Sequence, residues 1–337
     1  ATTASAGYEI KLSDEDTITF GGFIKIDTRY VDGDIAYRDF WIGSGTVLDE
    51  DASQVKMFAN ETRFNTKYVH GDITGFIEMD FYGGGGNEII SNSSHPRLRH
   101  AFIKYKGLTA GQTWTTFMNT SALAETADFA GAMVGEAFVR NTMFRYDYGN
   151  FSFALENPES WGNDSIDDSP DADSASDDLP DLVGKYTFKG DWGNVTAAAL
   201  VRQLNYTNGD DDTALGFSVA GRIKTTGKND VRFQVHGGET GRYVGVTAAP
   251  DVYNGKVESS TAYMVAYRHF WTEDIRSNVF YGYIETDESD RERSQVGVNV
   301  FKNYTPKLSF GLEFGQFKMD DVDADSIYTQ LSAKYVL

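Results

Sequence analysis

The chain contains no cysteine among its 337 residues. Disulfide frameworks, thiolate metal sites and thiol redox chemistry are therefore excluded. It has no run of about 18 apolar residues, which excludes a transmembrane helix. Basic residues are in deficit: 30 Lys and Arg stand against 50 Asp and Glu, giving a formal charge of −20. That balance argues against a nucleic-acid partner. Proline is scarce at six residues, and the five histidines are scattered. What is plentiful is glycine (34), phenylalanine (23) and tyrosine (19). The overall hydropathy resembles that of a soluble protein, but strands that alternate polar and apolar residues also average to near neutral, so a membrane is not excluded. The opening ATTASAG has neither a basic segment nor an apolar segment of a signal peptide. It reads as a mature exported chain or a trimmed one.

Period-two alternation dominates the rest. In Thr17–Val31, Ile18, Phe20, Ile24 and Ile26 alternate with Lys25, Asp27 and Arg29. Sixteen such runs can be counted from there to Leu337. Seven short connections, such as His70–Asp72 and Lys106–Leu108, interleave with eight longer ones. Strict interleaving of this kind is what an up-and-down barrel of sixteen strands requires, with short turns at one rim and long loops at the other. The third long connection, Met118–Ala137, has about twenty residues, far more than a strand-to-strand link needs. Its small and apolar residues suggest that it folds into the hollow. Residues 1–16 read as a polar lead-in, and residues 17–337 as one barrel domain without an internal repeat. The fold class expected is all-β: a sixteen-stranded antiparallel transmembrane β-barrel with the third loop folded into the pore.

Cost assigns the faces. An Arg or Lys at the lipid midplane costs about 2–4 kcal/mol, so Arg29, Arg63, Lys67, Lys185, Arg222, Arg232 and Arg293 are expected inside. Phe217, Val219, Phe233, Val235, Val296, Val298, Phe310 and Phe314 then face lipid. The second strand is an exception. Its outward face would read Phe58, Asn60, Thr62, Phe64, Thr66 and Tyr68, too polar for lipid, which predicts a subunit interface. In the fourth strand, placing Arg99 inside also places Ile103 inside unless a bulge resets the register. Aromatic residues at strand ends, among them Tyr68, Tyr105, Tyr148, Trp192, Trp271 and Tyr335, suggest interfacial girdles.

The chain resembles the DcaP-like porins of Gram-negative outer membranes. The resemblance rests on FGGFIKID (Phe20–Asp27), ETRFNTK (Glu61–Lys67), RLRHAFIKY (Arg97–Tyr105), GQTWTTFM (Gly111–Met118), RYDYGNFSFALENPE (Arg145–Glu159) and LPDLVGKY (Leu179–Tyr186). These motifs lie mostly in the first half. The resemblance implies a homotrimer of sixteen-stranded barrels in the outer membrane, each folding its third loop into its own pore. It also implies uptake of anions, notably dicarboxylates and aromatic dicarboxylates. Two features depart from the pattern: Leu337 stands where such barrels usually end in an aromatic residue, and no heptad-rich segment precedes the barrel.

The candidate pore-lining residues are Arg29, Arg63, Arg97, Arg99, Arg140, Arg145, Lys185 and Arg222. Rings of Arg or Lys select anions, and a guanidinium matches a carboxylate with two parallel hydrogen bonds. Glu125, Asp128 and Glu136 on the third loop could stand opposite and set up a transverse field. The competing reading is that these arginines pair with Asp27, Glu61, Glu78, Asp80 or Glu156 and hold the wall. The net charge is reconciled with an anion path by location. The acids concentrate in predicted external loops, beyond the roughly 8 Å Debye length from a constriction. Asp164, Asp167, Asp168, Asp171 and Asp173 in one such loop could bind Ca²⁺ weakly through oxygen, or simply solvate the surface. No other cofactor is expected. The expected partners are further copies of the chain, outer-membrane lipid and lipopolysaccharide, and small anionic solutes. Two alternatives remain: a barrel hydrolase, with His100 and Ser93 or Ser94 as its elements, and a closed structural or adhesive barrel.

Overall fold

The computed structural model describes residues 7–87, 89–129, 131–162 and 169–337. The strands in chain order are β1 (Tyr8–Lys11), β2 (Asp16–Ile35), β3 (Val47–Phe58), β4 (Arg63–His70), β5 (Ile73–Asp80), β6 (Arg97–Tyr105), β7 (Leu108–Trp114), β8 (Arg140–Tyr148), β9 (Phe151–Glu156) and β10 (Asp181–Gly190). They continue as β11 (Gly193–Asn205), β12 (Asp211–Lys224), β13 (Asp230–Gly238), β14 (Val252–Tyr253), β15 (Lys256–Val257), β16 (Ser260–Phe270), β17 (Ile275–Thr286), β18 (Glu292–Asn303), β19 (Leu308–Met319) and β20 (Ala324–Val336). β3 and β4 pair with successive halves of β2 and together occupy one wall position. β14 and β15 form a small hairpin of their own. Every other neighbour pairs antiparallel with the next, and β20 pairs with β2, which closes a sixteen-position barrel. Closure pairs the wall strands around the ring and, the outer edge of β3 apart, satisfies their backbone without water.

The seam has a second component. β20 covers β2 from Phe23 to Gly33, while β1 covers Thr17–Phe20. Part of the stretch expected as a lead-in is thus a strand of the sheet. Gly22 marks the handover: its φ is +132°, and its carbonyl accepts from the Leu337 amide at 3.1 Å. A side chain there would run into the Arg63 carbonyl, so glycine is required for both conformation and space.

The wall is inverted relative to a water-soluble protein. Phe217, Val235, Val298 and Phe314 are exposed on its outer surface, whereas Gln234, Asn299, Glu313 and Gln330 on the inner surface are 0–4% exposed. Tyr68, Tyr105, Tyr148, Trp192, Trp271 and Tyr335 at the short-turn rim are exposed, as an interfacial girdle requires. The register at β6 is reset by a bulge: Glu78 pairs with His100 and Met79 with Leu98, leaving Arg99 as the extra residue. Arg99 then turns inward while Ile103 is exposed outside. A four-residue break, Ala59–Thr62, separates β3 from β4, and the regular alternation does not run through it. Phe58 is buried, and the Thr62 hydroxyl bonds the Lys25 backbone. Only Phe64, Thr66 and Tyr68 of the predicted second-strand outer face keep that parity.

Three long loops fold into the lumen at the other rim and pack as one dry unit. Trp41 from the first loop stacks on Phe317 with centroids 4.9 Å apart. Phe117, Met118, Val134 and Ala137 of the third loop join Tyr243, Val244 and Ala248 of the sixth in the same cluster. Hydrogen bonds stitch the loops: Gly43 N to Val246 O at 2.8 Å, Phe138 N to Tyr243 O at 3.1 Å and Gly245 N to Glu136 O at 3.0 Å. Val246 and Thr247 have φ of +42° and +71°, which is uncommon for β-branched residues and costs roughly 1–3 kcal/mol each. The contact with the first loop holds them there. Ser44 Oγ and Thr247 Oγ1 lie 2.8 Å apart, and the chain has no native thiol. A Ser44→Cys/Thr247→Cys variant is expected to form an intramolecular disulfide on mild oxidation, seen as a mobility shift reversed by reductant. Two free thiols after oxidation would mean that the loops do not meet.

Candidate functional site

The inner wall and the third loop enclose a cavity of about 760 Å³. Its lining includes nine Lys or Arg residues against three carboxylates. Lys25, Arg63, Arg99 and Lys334 come from β2, β4, β6 and β20. Across the ring, Arg222, Arg232, Arg268 and Arg276 come from β12, β13, β16 and β17. Lys307 stands at a short turn.

Strand side chains bolt the third loop in place. Lys25 Nζ and Gln330 Nε2 donate to the Ala127 carbonyl at 2.8 and 2.6 Å. Glu313 accepts the Ala127 and Asp128 amides at 2.6 and 3.3 Å. Asn299 donates to Glu125 O at 2.9 Å and Arg232 to Leu123 O at 2.5 Å. A buried loop would otherwise leave its backbone groups unsatisfied.

The loop carboxylates are anchors. Asp128, 1% exposed, accepts from Arg29 Nη1 at 2.8 Å. Arg29 is itself 0% exposed, with its guanidinium over Trp41 and Tyr328. The expectation that Arg29 lines the pore is therefore corrected: it lies under the loop and latches it. Glu136 is also fully buried, with Oε1 accepting from Ala124 N at 3.3 Å. Burial pushes its carboxyl up to about 8, only partly offset by that amide and by Arg232. Neither Asp128 nor Glu136 faces the lumen, so neither supplies the expected transverse field. Glu125 does line the cavity, but Arg268 and Arg276 grip it at 2.9 and 2.6 Å. Burial opposes its charge, yet these two guanidinium groups hold it down to about 2.

The remaining candidates divide. Arg63 lies between the rings of Phe23 and Phe129, 3.6 Å from Glu61, and Arg99 donates to Glu78 and Asp80 at 2.8 and 3.0 Å. Both line the cavity, as does Arg222, which shares Asp230 with Arg232 and Arg268. Arg97 is held by two bonds to Asp80, at 3.0 and 2.7 Å. Arg140 stacks over Trp114 at 5.1 Å, Arg145 lies 3.7 Å from Asp147, and Lys185 donates to Met118 O at 3.1 Å. These four are not among the cavity-lining residues. Arg140 and Arg145 are five residues apart, yet both turn inward: Arg140 lies near Arg99, Arg97 and Arg63, and Arg145 near Lys185. Sequence reasoning missed Arg268, Arg276 and Lys334. Inward parity with Met264, Asn278 and Gln330 was the available signal, but Arg268 and Arg276 flank a turn where the phase of alternation is hardest to read.

Of the acidic-loop residues, Asp164, Asp167 and Asp168 lie outside the described residues. Asp173 caps a short turn through Ala175 N and Ser176 Oγ, and the Asp171 carbonyl accepts from Thr207 N.

A family model described as DcaP outer membrane protein matches residues 2–318. The chain belongs to the DcaP outer membrane protein family. It is an integral protein of the outer membrane. Among solved structures, the outer membrane channel DcaP of Acinetobacter baumannii is 22% identical with a TM-score of 0.82, over 98% of this chain and 100% of that one. The anion-selective porin from Comamonas acidovorans is 10% identical with a TM-score of 0.65, over 96% and 100%. OmpT of Vibrio cholerae in a trimer form is 13% identical with a TM-score of 0.58, over 96% and 100%. At these identities the likeness speaks for the fold. No curated protein sequence matches the chain.

In this DcaP-family barrel, two measurements test the anchoring of the third loop. Arg29→Ala leaves Asp128 buried without its cation and is expected to cost about 3–5 kcal/mol, read as a lower denaturant midpoint. The folded state keeps Glu136 protonated above the ordinary carboxylate range. Its contribution to stability is complete below that range and declines by up to about 1.4 kcal/mol per pH unit as pH rises toward about 8. Deuterium uptake by the third loop should rise across that window, and Glu136→Gln should flatten the rise. An unchanged slope in the variant would remove Glu136 from the account.

Proposed function

We propose that the protein is an outer-membrane porin that passes small anionic solutes by diffusion and prefers carboxylates. The observation that supports this is the lining of the cavity: nine cations against three carboxylates. All three carboxylates are already engaged, Glu61 by Lys25, Glu78 by Arg99 and Glu125 by Arg268 and Arg276. Lys307 and Lys334 make no ion pair among the described residues. These donors face a solute as a distributed set, which attracts an anion without one deep trap. The aromatic rings of Phe76, Phe102, Trp114 and Phe301 in the same lining suit solutes with a flat apolar body, including the dicarboxylates that the family resemblance implies. The porin from Comamonas acidovorans, described as anion-selective, shares the fold.

The reading is a channel and not an enzyme. His100 Nδ1 lies 3.1 Å from Thr113 Oγ1. Ser94 Oγ donates to Phe81 O, and Ser93 Oγ is engaged with Asn87 and Ser91. His100 and both serines are thus engaged with other partners. A homotrimer is also proposed. β3 pairs with β2 along one edge, and among the described residues no strand covers its other edge. Its Val55 and Met57 are exposed, and an open strand edge of this kind is normally covered.

Reversal potentials in a planar bilayer under a salt gradient test the selectivity. Wild type is expected to prefer anions. Lys334→Ala or Arg222→Ala should each lower the anion-to-cation permeability ratio about two- to threefold, the effect of one charge at roughly 7 Å in a water-like dielectric. Arg97→Gln, outside the cavity lining, should leave the ratio nearly unchanged. Cation preference in the wild type would overturn the proposal.

A further inference from the structure

Charge is sorted along the barrel axis. At the short-turn rim, lysines have the parity of the lumen, since residues directly opposite on paired strands share a face. Lys67 lies opposite Phe76, which lines the cavity, and Lys104 lies opposite Thr109, which is 0% exposed. Lys189 lies opposite Asn194, and Asn194 opposite Arg222 of the cavity lining. Lys224 follows two residues after Arg222 on β12 and keeps its parity. These four lysines are exposed. Like Lys307 and Lys334, they make no ion pair among the described residues.

At the long-loop rim the sign reverses. Residues 210–212, 287–290 and 320–325 include acids and no Lys or Arg. Lys256 takes Glu288, and Arg293 takes Asp321. Asp210, Asp211, Asp212, Asp320, Asp323 and Asp325 are exposed and make no ion pair among the described residues.

Fixed charge of one sign at a mouth gathers counter-ions and repels co-ions. A single unpaired charge about 10 Å away in water changes the local ion concentration about twofold. The acidic mouth is therefore rich in cations and the basic mouth in anions, each over about one Debye length. The two mouths conduct in series. When the long-loop side is positive, each ion enters through the mouth that gathers it, and the lumen fills with both. When the long-loop side is negative, each ion has to enter through the mouth that repels it, and the lumen is depleted.

We infer that the barrel is a rectifying channel that carries more current when its long-loop side is positive, and that the lysines at the short-turn mouth supply the basic half of the junction. The inference rests on the open lumen of the proposed function and not on which ion that lumen prefers.

The test is the current–voltage curve of the full chain in a planar bilayer with the same KCl solution on both sides. An Asn208→Cys variant, in a chain without other thiols, fixes the orientation by labelling with an impermeant thiol reagent from one chamber. At about 0.1 M KCl, where the Debye length is about 10 Å, the current with the long-loop side positive should exceed the opposite current about twofold. At about 1 M, where that length is about 3 Å, the two currents should become nearly equal. The triple variant Lys67→Gln/Lys104→Gln/Lys224→Gln should lose most of the asymmetry at low salt. Lys302→Gln is the control: Lys302 lies opposite the exposed Phe310 on the lipid-facing parity, and its variant should rectify like the wild type. An open wild-type channel with equal currents at both polarities would overturn rectification and leave the solute preference standing. Undiminished asymmetry in the triple variant would remove the lysines from the account. Folded protein that conducts at neither polarity would sink both this inference and the channel reading.

Discussion

A charged side chain cannot face hydrocarbon, and this constraint organises the molecule. Thirty basic and fifty acidic residues must go to the lumen, the rims or the loops. The sixteen-position wall is the arrangement that gives them a water-filled interior while closing every backbone hydrogen bond. Once the charges are inside, they have to be matched against one another. The third loop supplies part of the match. Its Asp128 neutralises Arg29, its Glu125 is shared by Arg268 and Arg276, and its carbonyls accept from Lys25, Arg232 and Gln330. The loop is as much a counter-ion to the wall as a constriction.

That division explains what could be read in the sequence. The wall was legible because strand parity is binary and lipid penalises error, so Phe217, Val235 and Val298 could be placed outside and Arg63 and Arg232 inside. Even the conflict between Arg99 and Ile103 pointed to its solution, the bulge opposite Glu78. The lumen was less legible because inward parity says nothing about partners. Arg29 and Arg63 share the inward sense, yet one is sealed against Asp128 and Trp41 while the other lines the cavity. Glu136 reads as a lumenal carboxylate and is a buried acid. The dry contact of Trp41, Met118 and Val244 joins three loops far apart in the chain, and no local pattern announces such a contact.

The acidic net charge and the basic cavity coexist because screening acts over a short range. The field of acids on the long loops is screened over about one Debye length of salt solution, whereas the inward guanidinium groups are packed within a few ångströms of aromatic rings. Phe129 alone has Arg63, Arg97 and Arg99 at 5.6–5.7 Å. Aromatic faces of this kind accept positive charge without cancelling it, and they do so beside the carboxylates of Glu61, Glu78 and Asp80 that pair with the same arginines.

The seam between β2 and β20 also has a kinetic meaning. It sets Phe23 against Val336, residues separated by almost the whole chain, and contacts of such separation form late and slowly. Until they form, the growing sheet carries two open edges rich in valine, isoleucine and phenylalanine, the composition most prone to pairing with another chain. A sheet that is safe only as a ring must be shielded until the ring closes, and the lag between the synthesis of Phe23 and of Val336 sets the minimum time for which that shielding has to last.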